Sequence, residues 1–152
     1  MQANPNITPA NLLFTLSRIV LGAVFVYASW DKILDPAAFS RIIANYQIVS
    51  YNLGNLIALF LPWLEVVCGI CLITNRFTLG SATITAALMV VFIGALGYNI
   101  YRGIDVHCGC FTLTEEAPGS MWGYLIRDVL FLAIAIWIII HRIPAQRSPS
   151  PA

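Results

Sequence analysis

Asn55-Leu-Ile-Ala-Leu-Phe-Leu-Pro-Trp-Leu-Glu65-Val-Val-Cys68-Gly-Ile-Cys71-Leu-Ile-Thr74 is an apolar run with a single charged side chain, Glu65. A helix rises about 1.5 Å per residue, so this run covers the ~30 Å hydrocarbon core of a bilayer. Three further runs of similar length flank it: Leu12 to about Leu34, Leu79 to Tyr101, and Met121 to His141. Residues 1–11 hold no Lys or Arg, and the run after them is too long for a signal-peptide core, so the first segment is expected to stay in the mature protein.

Composition agrees with a membrane solvent. Hydrophobic residues make up 59% and charged residues 10%, against roughly 25% charged in a soluble domain. That is too little polar surface to face water. Net charge is +1, and no basic patch is present to hold phosphates along a nucleic acid. The bilayer is the expected partner and nucleic acid is not.

Between the first two runs, Asp35-Pro36 reads as a helix start, with Asp35 as cap and Pro36 in the first turn. Phe39, Ile42, Ile43 and Tyr46 then recur at helical spacing, with Ser40, Arg41, Asn45 and Gln47 assigned to the other side. The segment is too short and polar to span, so it should lie on the membrane surface. Asn75-Arg76-Phe77 makes a tight turn. In the third run, Gly80, Ser81, Ala82, Ala86, Ala87, Gly94, Ala95 and Gly97 offer small surfaces for close helix contact. The expected fold is an all-α membrane protein: an antiparallel bundle of four transmembrane helices with one short amphipathic interfacial helix. It forms a single domain over 12–141, with 1–11 and the Pro/Ser-rich 142–152 as flexible termini. Both termini then share one face and residues 102–120 lie on the other. Arginines and lysines divide almost evenly between the faces, so charge does not orient the bundle.

Chemistry concentrates in His107-Cys108-Gly109-Cys110. Two cysteines one residue apart close only a small, bent disulfide, and such strain favours exchange over stapling. Gly109 removes the side chain that would resist the bend, and a protonated His107 would stabilise a thiolate. The bland alternatives are incidental free thiols, or a metal held by His107, Cys108 and Cys110, for which no fourth ligand is evident. Cys68 and Cys71 share the spacing of a thioredoxin-type pair but lie mid-span. There, buried cysteine packs as a small hydrophobe, and a second redox pair is the competing reading. The charges within the spans are Arg18, Glu65, Arg127 and Asp128. Unpaired, each costs at least ~2.5 kcal/mol at mid-bilayer. By depth, either Arg18 or Arg127 should reach Glu65, as a structural ion pair or as a polar pocket for protons or a quinone head group. Lys32, with Asp31, is expected at the interface, extending that pocket. Tyr98, Asn99 and Tyr101 lie near the same level.

These residues recur in a familiar order. Arg18-Ile-Val-Leu-Gly22, Lys32, Asp35-Pro36, Phe39 and Tyr46 come first. Leu61-Pro62-Trp63-Leu64-Glu65, Gly69, Arg102-Gly103, Cys108-Gly-Cys110-Phe111, Trp122 and Arg127 follow. The series resembles DoxX-like membrane proteins, and among them the MauE type of methylamine-utilisation protein, over about residues 12–141. The resemblance implies a bacterial inner-membrane protein with cytoplasmic termini and a periplasmic Cys108/Cys110 loop. It also implies a role in disulfide chemistry, linked to maturation of the disulfide-rich small subunit of methylamine dehydrogenase. Cys108 and Cys110 would then exchange with a periplasmic thioredoxin-like protein or client, supported by His107, Gly109, Arg18, Lys32, Glu65 and Arg127. Two other classes stand beside this reading: a non-catalytic membrane scaffold or chaperone, and a quinone-linked oxidoreductase subunit. No cofactor is specified by motif, and a quinone in the bundle is the one candidate.

Overall fold

The structure, a computed structural model, describes residues 9–104 and 121–146. Its elements are α1 (Pro9–Leu34), α2 (Pro36–Asn45), α3 (Tyr51–Ile73), α4 (Thr78–Tyr101) and α5 (Met121–Gln146). All the described regular structure is helical. α1, α3, α4 and α5 are each long and apolar enough to cross a membrane. Short links at α1–α3 (through α2) and α3–α4 force antiparallel neighbours. α1 packs along α3 and α4 along α5, while α3 meets α4 and α1 meets α5, closing a ring of four.

The inside and outside of this ring carry reversed chemistry. Phe60, Val91 and Leu130 stand at least half exposed on the outer faces, as suits a surface solvated by acyl chains. The interior buries Leu21, Phe25, Leu72, Ala82, Met89, Ala135 and Ile138 in one cluster. It also buries Ser29, Lys32, Glu65, Thr85, Asn99 and Asp128. Polar groups inside a bundle escape the cost of facing lipid.

α2 forms as its capping sequence requires. The Asp35 carboxylate accepts a hydrogen bond from the Ala38 N–H at 2.8 Å, and Pro36 fills the first turn. Phe39, Ile42 and Tyr46 are buried, and Ile42 and Tyr46 pack with Leu96 against Tyr124 and Leu125. Ser40 departs from the expected polar face: it is buried, and its hydroxyl bonds the Asn55 side-chain carbonyl of α3. A small hydroxyl with a partner fits a contact that an apolar stripe alone does not anticipate. Replacing Asp35 by Ala removes the cap and is expected to cost about 1 kcal/mol of stability, read as a lower unfolding temperature in detergent.

Helix ends differ from the sequence reading by a few residues. α3 begins at Tyr51 and α1 at Pro9, and α5 continues to Gln146, where a flexible terminus was expected from 142. Pro144 lies in the final turn, where its missing N–H releases only one carbonyl near the helix end. The larger correction concerns helix contact. A Cβ placed on Gly80, Gly94 or Gly97 would meet nothing within 4 Å, so these glycines do not form a close interface. The close approach lies between Gly22 of α1 and Gly69 of α3, where an added Cβ would stand 2.6–2.7 Å from the facing glycine's carbonyl oxygen. Ser81 and Ala82 do turn inward, as expected of small residues on α4.

Candidate functional site

Lys32 occupies the last turn of α1, where a lysine ordinarily extends toward water. Side chains lean toward the N-terminus of their own helix, which turns Lys32 back into the bundle. Glu65 sits on antiparallel α3 and leans the opposite way, to meet it. The Lys32 ammonium donates to both carboxylate oxygens, at 3.0 Å to Oε1 and 2.8 Å to Oε2. The two residues are 1% and 2% exposed. Ser29, one turn before Lys32 on the same face, holds its hydroxyl 3.0 Å from Glu65 Oε2 and 2.7 Å from the Phe25 carbonyl oxygen. Its single proton serves one of these at a time. The ammonium also lies 5.1 Å and 5.6 Å from the ring centroids of Phe39 and Phe92, within cation–π range.

Asp128 of α5 completes the group. It is 1% exposed and accepts from Arg127 Nε and Nη2 at 3.1 and 2.9 Å. With Lys32, Glu65, Phe92 and Phe131 it lines a cavity of about 20 Å³, enough for about one water molecule. Lys32, Glu65 and Asp128 thus face one space of molecular-water size, and Arg127, outside that lining, pairs with Asp128. From the membrane surface, α2 presses Tyr46 toward the same group. Burial, then the Asp128 carboxylate, pushes the Tyr46 phenol above its ordinary range, against the opposing pull of Arg127.

The expected partners of Glu65 are therefore corrected: Lys32 holds it, not Arg18 or Arg127. Arg127 pairs with its chain neighbour, and Arg18 lies buried toward the other end of α1. Ser29 was not singled out from sequence, although its i, i+3 relation to Lys32 on one helix face is a visible signal. Asn99 is fully buried and donates to the Ala95 carbonyl at 3.0 Å. Tyr98 and Tyr101 are 52% and 88% exposed, as interface anchors would be.

Phe39 and Phe92, the two rings beside the ammonium, also line an open apolar cavity of about 320 Å³, walled by α2, α3 and α4. Ile42, Ile57, Leu61 and Leu88 contribute to its lining. Cys68 is buried and Cys71 half-buried, and both are free thiols. Among the described residues no three His, Cys, Asp or Glu side chains converge as metal ligands. His107, Cys108, Gly109 and Cys110 lie outside the described residues.

Comparison with known proteins points one way. The family described as "Methylamine utilisation protein MauE" matches residues 10–141. A methylamine utilization protein MauE from Paracoccus denitrificans is 30% identical over 122 residues, covering 80% of this chain and 65% of that protein. Its counterpart from Methylophilus methylotrophus is 31% identical over 123 residues, with the same two shares, 80% and 65%. A third, from Methylorubrum extorquens, is 30% identical over 98 residues, 64% of this chain and 53% of the relative. The chain thus spans about two thirds of the length of the first two relatives. No solved structure matches it. A multi-pass helical bundle that buries its charges along the ring, matched to the family profile from the start of α1 to the last turns of α5, makes this chain a member of the MauE family.

Proposed function

We propose that this chain is a thiol–disulfide redox protein of the bacterial inner membrane, acting through Cys108 and Cys110 on a periplasmic client. The observation that carries the reading is family membership across the bundle, together with a Cys-Gly-Cys sequence in the segment joining α4 to α5. In an antiparallel bundle α4 ends, at Tyr101, on the same face as the end of α1 and α2, the face nearest the Lys32–Glu65 pair. By family name the client belongs to methylamine utilisation, and the small subunit of methylamine dehydrogenase, or a thioredoxin-like carrier, is the partner proposed. The termini are cytoplasmic in this scheme, which gives the cysteines an oxidising compartment.

The exchange conserves atoms and electrons. One client thiolate attacks the Cys108–Cys110 disulfide, the second client thiol resolves the mixed disulfide, and the client leaves oxidised. The pair here gains two electrons and two protons as a dithiol. Its reoxidation requires a two-electron, two-proton acceptor, which a lipid-soluble quinone would supply. Ile42, Ile57, Leu61 and Leu88 are suited to hold such a molecule in the apolar cavity, whose wall includes Phe39 and Phe92, the two rings beside the Lys32 ammonium. His107 and Gly109 are proposed to ease thiolate formation and the bend. Cys68 and Cys71 are proposed to pack rather than to exchange.

The Cys108→Ser/Cys110→Ser variant is expected to abolish client disulfide formation while inserting normally, measured by trapping client thiols in intact cells. Serine variants that oxidise the client as well as wild type would leave the scaffold reading in its place. Labelling with a membrane-impermeant maleimide gives the second readout. Reaction only after reduction is the result expected of a periplasmic disulfide.

A further inference from the structure

At the other end of the bundle lie Arg18 and Arg142, for which the described residues supply no counter-ion. Arg18 is 7% exposed, and its Nε and Nη1 are buried with no hydrogen-bond partner. Arg142 Nε, on α5, is buried and unpartnered too. Arg18 stands one turn after Phe14 and Arg142 directly follows His141, and the Phe14 and His141 rings lie 6.5 Å apart, which brings the two guanidinium-bearing turns together. Each unsatisfied charged donor in an apolar setting is costly, and two like charges compound that cost.

Among the described residues no acidic side chain lies at this end. The chain's seven acidic side chains are Asp31, Asp35, Glu65, Asp105, Glu115, Glu116 and Asp128. Asp31 and Asp35 close α1 at the opposite face, Glu65 is held by Lys32 and Asp128 by Arg127, and the remaining three lie outside the described residues. No described side chain neutralises this pair, and a bilayer offers anions at this level. Water would satisfy the donors but not the charge.

The level of the site in the membrane indicates the source. The spanning stretches begin at Asn11 and end at Arg142. Arg18 enters by about 10 Å at 1.5 Å per residue, and its side chain leans back toward the helix start, to phosphate depth. Leu16, Ile19 and Val20 on α1 and Ile140 on α5 are each at least 39% exposed, a surface for acyl chains. Trp137 and His141 meet edge to face at 4.5 Å beside Phe14, an aromatic group at the same level.

We propose that Arg18 and Arg142 form a binding site for the phosphate of an anionic phospholipid, held between α1 and α5 on the face carrying the chain termini. Arginine forks suit phosphate oxygens, and basic pockets between transmembrane helices hold such headgroups. The bound phosphate ties α1 to α5, whose direct packing is slighter than that of the α1–α3 and α4–α5 pairs.

The test uses the full chain in mild detergent, with phosphatidylglycerol and phosphatidylcholine in competition and retained lipid counted by native mass spectrometry. Wild type is expected to prefer phosphatidylglycerol about thirtyfold, each arginine contributing a factor of about five. Arg18→Gln/Arg142→Gln is expected to lose that preference while its circular dichroism stays helical. Equal retention of the two lipids by wild type overturns the proposal, and that measurement stands even if the double variant fails to fold. A folded double variant that keeps the preference overturns it as well. Inorganic phosphate displacing the lipid at millimolar concentration would assign the site to a free anion and remove the lipid.

Discussion

Glu65→Gln is expected to destabilise the protein by about 3–5 kcal/mol, the range for removing one partner of a buried ion pair. Glutamine keeps the shape and one acceptor, but the Lys32 ammonium then loses its directly bonded carboxylate and is left beside Phe39, Phe92 and an Asp128 that it shares with Arg127. Asp128 lines the same small cavity, but its carboxylate already accepts two hydrogen bonds from Arg127. The measurement is unfolding in detergent followed by circular dichroism. An unchanged transition would show that the charge is solvated and the pair unimportant. Pairing Glu65→Met with Lys32→Met is expected to restore most of the loss, because well-packed apolar side chains commonly replace a buried ion pair at little cost. The double variant also separates two roles. If it is stable and still oxidises the client, the pair is structural. If it is stable but inactive, the pair serves the redox cycle, as a quinone-linked mechanism requires.

Much of this architecture is legible in the chain because lipid leaves few choices. An apolar run such as Asn55–Thr74 must satisfy its own backbone, and a helix is the form available to it. Asp35-Pro36 announced α2 through chemistry local to one turn. The partner of Glu65 was less visible, for two reasons. Depth counted along a run ignores the lean of side chains, which carries Lys32 inward and Glu65 to meet it. It also depends on where the helix starts, and α3 starts at Tyr51, before the apolar run does. The small residues of α4 misled differently. Composition says that a helix can pack closely, but not which of its faces has a neighbour. Gly80, Gly94 and Gly97 face open space, whereas Gly22 and Gly69, each alone in its run, supply the contact.

That contact makes the second large prediction. Gly69→Leu is expected to separate α1 from α3 and to disassemble the site, not merely to strain it. A Cβ at position 69 already stands 2.7 Å from the Gly22 carbonyl oxygen and 2.8 Å from a Val26 methyl. The oxygen belongs to helix backbone and cannot rotate away, so the whole helix must retreat. Overpacking in a tight interior costs typically 1–3 kcal/mol. Here the retreat also lengthens the Lys32–Glu65 contact, since the same two helices carry both groups. The combined loss should exceed that of Glu65→Gln and appear as failure to accumulate in the membrane. Gly69→Ala is the informative milder case, because the same oxygen opposes even a methyl group. A distinct drop in unfolding temperature is expected, and Gly22→Ala should match it from the facing helix. Gly94→Ala, with nothing within 4 Å of the added methyl, should change little. If Gly69→Ala and Gly94→Ala proved equally harmless, α1 and α3 would have to pack less closely than this structure has them, and Lys32 would need another account of its burial.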